Sequence, residues 1–247
     1  MFLRRLVQRT QWGTLLKLVS PSFFDVLPTS ALRTEAGILM RSARDREAQA
    51  KMIDARAPLL NRLGWKSADA AKGQAEPDEA FGQDLLTLYF TQLFAYEDAV
   101  LDLRAQAFDR GENGVRWAPR LLHVDWEAAF IVQIRDLYRG FYEDDEALYE
   151  GALEALGMPG TGDLFRAHFG EQQHAVAFDL PKFQHTFHLI FERCKTDGLK
   201  LHHHFVSFGV YLGTLYENLD RSGHTYDVQR VYFRARDLAR DLANGHG

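Results

Sequence analysis

The chain has 247 residues and a formal charge of −5 at neutral pH. Hydrophobic residues make up 46% and charged residues 26%, a globular balance that excludes disordered, collagen-like and disulfide-scaffold classes. The single cysteine, Cys194, excludes an intrachain disulfide and any four-cysteine zinc site.

Charge is uneven along the chain. Arg4, Arg5, Arg9 and Lys17 give residues 1–24 a charge of +4, and the first acid is Asp25. The remainder carries 25 basic and 34 acidic residues, so the body is −9 and repels a phosphate backbone. No nucleic-acid partner is expected. The segment 1–24 is read as a basic, aromatic head on an all-α domain over 25–247. It mixes cations with apolar side chains, so Phe2, Arg4, Arg5, Arg9 and Trp12 are candidates for docking on a protein partner or an anionic membrane surface. Its charges leave no apolar run for a secretory signal, and the expected location is cytoplasmic, with peripheral membrane contact through residues 1–20.

Thr29 and Ser30 offer N-cap oxygens to a long Ala/Arg-rich helix over 31–57, which Pro58 ends or kinks. Residues 66–76 hold no large apolar side chain and read as a linker. Pro77, Asp78 and Glu79 open a second helix, apolar nearly all round from Leu85 to Leu103. Four acids in Phe81–Leu103 argue against a membrane span there. A turn-rich break follows at 109–114. Asp125 is expected to cap a third helix, in which Trp126, Phe130, Ile134, Leu137 and Phe141 recur at helical spacing. A fourth runs from Asp144 to Gly157, and a short one covers 162–169. Residues 174–178 look extended. Helices then start at Pro181 and Lys200, and the last carries an apolar stripe from Val228 to Leu242. The pattern predicts one all-α, bundle-like domain of about seven helices.

Nucleophile-elbow, phosphate-loop, dinucleotide and zinc-protease motifs are missing. Cys194 lies on an apolar stripe and reads as a core residue. Histidine is the unusual type, with five of ten between His185 and His204. His185, His188 and Glu192 share a helical face, spaced by about 60° and 40°, and are candidate transition-metal ligands on a side otherwise read as solvated. His202-His203-His204 cannot converge if they lie in a regular helix, where neighbours point about 100° apart. His204 then belongs to the apolar side, and His202 to a strip with Val206, Gly209 and Gly213, whose small residues suit tight packing or a flat cofactor such as haem with an axial histidine. Glu171 and His174 form one Glu-x-x-His pair of the kind used in di-iron bundles, with Glu35, Glu97 and Glu127 as candidate further donors and no second copy. Glu97, Asp98 and Asp102 sit on a helix expected to be buried, so an ion-pair network with Arg104 or arginines of 31–57 is expected to neutralise them.

These observations favour an interaction, assembly or accessory protein that docks through its basic N-terminus. The alternative is a helical iron- or haem-dependent oxidase or binding protein built on the late histidines and buried carboxylates.

Overall fold

A helix that is apolar on every side has to sit in the middle of a structure, and Glu79–Ala95 does. The computed structural model describes residues 44–71, 77–112, 114–119, 123–169 and 175–245, with isolated positions 34, 37, 38, 41, 42 and 75. Nine helices account for most of the described residues, so the fold is all-α in class, in one domain. They are α1 (Arg46–Asp54), α2 (Ala57–Arg62), α3 (Glu79–Ala95), α4 (Ala128–Tyr142), α5 (Glu146–Ala155), α6 (Gly162–Phe169), α7 (Leu180–Thr196), α8 (Phe205–Asp220) and α9 (Val228–Ala243). Core helix α3 packs along α9, α4 pairs with α5, and α7 lies against α6 and α8.

Local signals explain most helix starts. Asp45, Asp78, Asp145, Asp179 and Asp227 each accept a hydrogen bond from a backbone N–H of the first turn they precede. The helix expected over 31–57 is interrupted just before Pro58: α1 stops at Asp54, and Pro58 sits in the first turn of α2, where its missing N–H costs nothing. Asp125 does not cap α4. It lies in a short strand, and Glu127 takes the N-cap position without a capping side chain.

The largest departure from the sequence reading lies between Leu85 and Leu103. The helix stops at Ala95, and Tyr96 is extended. Arg135 of α4 donates to the carbonyls of Leu93 (2.6 Å) and Tyr96 (2.8 Å), satisfying acceptors at the helix end. Gln92 then accepts from Val100 N at 3.0 Å, holding the returning chain. These partners come from elsewhere in the fold, so periodicity could not reveal the stop. Asp98–Val100 forms β2, antiparallel to β5 (His123–Asp125).

The other strands are equally short. β1 (Lys66–Ser67) runs parallel to β4 (Gly114–Trp117), which pairs with β3 (Phe108–Gly111) in a hairpin. The start of the expected 66–76 linker is thus stitched to the hairpin, and Ala75 N also bonds to Phe108 O at 3.0 Å. The extended segment expected at 174–178 contains β6 (Val176–Ala177), which finds a partner in β7 (Thr225–Tyr226).

Candidate metal centre

Helix α7 ends in a Schellman turn. Gly198 takes φ 66°, Leu199 N bonds to Cys194 O at 2.8 Å, and Gly198 N bonds to Lys195 O at 3.2 Å. The chain reverses, and α8 begins only at Phe205. His202, His203 and His204 therefore lie on a turn, not in the regular helix expected from Lys200. The constraint that keeps adjacent helical side chains apart is lifted, and the three imidazoles offer ligand atoms within 4.8 Å of one another. Their rings lie 4.2–5.1 Å apart by centroid.

A carboxylate joins them from the N-cap of α4. Glu127 oxygens lie 3.5 Å from His202 Nε2, 3.7 Å from His203 Nε2 and 4.0 Å from His204 Nε2. These separations are long for hydrogen bonds. They approach the edge of a tetrahedron, about 3.3 Å for nitrogen and oxygen ligands roughly 2.0–2.1 Å from an ion. Closing onto that edge takes contractions of about 0.2–0.7 Å at Glu127, and the imidazole ligand atoms, within 4.8 Å of one another, must draw together as well. Its side chain is 59% exposed, which leaves an entry path from solvent, whereas His204 is 2% exposed and anchors the cluster to the core.

Hydrogen bonds orient the rings. Glu127 N donates to His204 Nε2 at 3.1 Å, so that nitrogen carries its lone pair, and His204 N approaches His202 Nδ1 at 3.3 Å. Phe130 stacks on His202 at 5.1 Å, and the Ser207 hydroxyl links Trp126 Nε1 to the His204 carbonyl. Burial, and then the two neighbouring histidines, push the His202 pKa below 6.5, against the opposing pull of Glu127. The neutral ring favoured in this way is the form that ligates metals. Two helix N-termini meet here and oppose a cation through their dipoles; the Glu127 charge offsets that effect.

The other candidates separate. His185, His188 and Glu192 lie on α7, and among the described residues only the 202–204 group brings three such ligand atoms within reach. Glu171 and His174 lie outside the described residues, as do Phe2, Arg4, Arg5, Arg9 and Trp12. Gly209 and Gly213 are buried in α8. Glu97 is exposed beyond the end of α3, not buried on a helix. Asp98 pairs with the buried Arg56, and Asp102 with Arg104, so the ion-pair account of these acids fits their geometry. Burial pushes the Cys194 thiol up to about 11, consistent with an inert core residue.

Glu127 had surfaced in the sequence only as one of several candidate donors. The overlooked signal was Asp197-Gly198, a helix stop that moves the histidines out of α8. No protein-family model matches the chain, and comparison with curated proteins finds no match.

Proposed function

We propose that this protein binds a divalent transition-metal ion through His202, His203, His204 and Glu127. One observation carries the reading: three imidazoles on the turn before α8 and the carboxylate at the N-cap of α4 gather in one place, the imidazole ligand atoms within 4.8 Å of one another and the Glu127 oxygens 3.5–4.0 Å from their Nε2 atoms. Imidazole-rich sets with one carboxylate suit zinc, iron, cobalt, nickel or copper. Coordination by His204 Nε2 would replace the hydrogen bond that this nitrogen accepts from Glu127 N.

The test is metal uptake by untagged protein, measured after exposure to zinc(II) or iron(II) and dialysis. One ion per chain is expected, with His203→Ala abolishing stoichiometric uptake and Glu127→Gln weakening affinity about tenfold or more. At free metal 100 times the dissociation constant, linkage adds about 2.7 kcal/mol, or roughly 5–11 °C in Tm. Failure of the wild type to retain metal, or uptake unchanged in His203→Ala, refutes the reading.

A second reading concerns residues 1–24. Their +4 charge beside a −9 body supports docking on an anionic membrane or an acidic protein partner, an accessory role compatible with a metal centre in the body.

A further inference from the structure

The three histidines are held by their backbone as well as by their rings. Phe205 N bonds to His202 O at 3.1 Å, Val206 N to His203 O at 3.1 Å, and Phe208 N to His204 O at 2.9 Å. The imidazoles therefore stand on a turn fastened, carbonyl by carbonyl, to the start of α8. Glu127 belongs to a different piece of chain, between β5 and α4. Its neighbour Trp126 ties that piece to α8, donating from Nε1 to the fully buried Ser207 hydroxyl at 3.1 Å.

Among the described residues, two backbone amides donate to the rings of this cluster. Glu127 N donates to His204 Nε2 at 3.1 Å, and His204 N to His202 Nδ1 at 3.3 Å. A ring lone pair that accepts a hydrogen bond is not free for an ion. For His204 the conflict is direct, because the Nε2 atoms are the ones that face the Glu127 carboxylate. For His202 it holds at either nitrogen. Ligation through Nδ1 takes the lone pair that the amide uses. Ligation through Nε2 requires the ring proton on Nδ1, which then no longer accepts. Glu127 thus gives its N–H to the hydrogen-bonded arrangement and its carboxylate to the coordinated one.

We infer that the centre is a metal-operated latch: the ion and the Glu127 and His204 amides compete for the same imidazoles, so coordination releases both amides and frees the start of α4 from the histidine turn. This rests on the metal reading and concerns how that site is regulated. Both hydrogen bonds are only partly buried, so water takes up the released N–H groups. The Trp126–Ser207 bond uses no ring lone pair and persists, keeping the two helix starts side by side. Each displaced amide bond weakens the apparent metal affinity by about two- to tenfold, the net value of such a bond. By reciprocity, anything that draws the start of α4 off the histidine turn strengthens metal binding.

Hydrogen exchange separates the two arrangements. Untagged, nitrogen-15-labelled protein is titrated with zinc(II), bound zinc is measured in the same samples, and exchange is followed by NMR. Before zinc, the Glu127 and His204 amides and the Trp126 indole N–H are all expected to be protected. With zinc bound, the two amides are expected to exchange roughly tenfold or more faster, while the indole stays protected. In Glu127→Gln, both releases should move to higher zinc in step with its weaker affinity. Zinc-loaded wild type in which either amide stays protected overturns the latch and leaves metal binding standing. Amides unprotected before zinc, or an indole released together with them, also overturn it. The same release in His203→Ala, which lacks a ligand, marks an effect of zinc elsewhere and overturns it too. Protein that retains no zinc removes both readings.

Discussion

Replacing Asp102 by alanine tests whether this buried acid is structural. The Asp102 side chain is fully buried and receives two hydrogen bonds from Arg104, 2.7 Å from Nε and 2.9 Å from Nη2, in a fork-to-fork pair. Burial pulls the Arg104 pKa down, but the Asp102 carboxylate outweighs it and holds the guanidinium more firmly protonated. Alanine would leave that cation 7% exposed without its main counter-charge. Breaking a buried pair from one side costs about 3–5 kcal/mol, which for a chain of this size lowers Tm by roughly 6–20 °C. Removing both charges together, Asp102→Leu with Arg104→Met, is expected to cost much less, because no uncompensated charge remains. Urea denaturation of the four members of this cycle supplies the coupling energy, with an unchanged m-value showing that the same transition is compared. A loss below about 1 kcal/mol in Asp102→Ala, or a double variant as unstable as the single, refutes the ion-pair account. Metal uptake is expected to be unchanged in every folded member, since Asp102 is not among the proposed donors.

His123 provides a pH prediction. Burial lowers its pKa from 6.5; Asp125, Asp45 and Asp98 oppose the shift, and Arg56 reinforces it. The unfolded chain therefore binds a proton more readily than the folded one. This contribution is fully present above pH 6.5 and is lost as pH falls below that value toward the depressed folded pKa. Between pH 7.5 and 5.5, His123→Asn should lose less stability than wild type, and equal losses would exclude the linkage. Gly140 marks the close approach of α4 and α5, where an added Cβ would lie 2.5 Å from Tyr149 N and 2.7 Å from its Cα. Gly140→Ala should cost about 1–3 kcal/mol despite a better helix propensity, and a stabilised variant would show that the helices separate freely. Deletion of residues 1–20 should abolish salt-sensitive sedimentation with anionic vesicles while the body stays folded. Indifference of the intact chain to vesicles, or unfolding on truncation, excludes membrane docking.

Trp126 and Glu127 immediately precede α4, as His202–His204 precede α8, and the two beginnings meet.

The residue pattern by itself determined the helical class and the positions of most later helices, because apolar spacing and N-cap aspartates act within a few residues. Asp145, Asp179 and Asp227 each stand directly before a helix and bond to its first turn. The ion-pair expectation for the acids near 100 was also legible, since a buried carboxylate needs a counter-charge wherever the backbone places it. Only the tertiary structure decided where α3 stops. Arg135 and Gln92 supply hydrogen-bond partners to the chain around Ala95, and no helical period encodes them. It also decided the site. The three histidines converge because the Gly198 turn holds them outside α8, and their carboxylate comes from Glu127, 75 or more residues earlier in the chain. Local propensity specifies which segments coil; a coordination sphere requires the ends of two such segments to meet, and that is settled by packing.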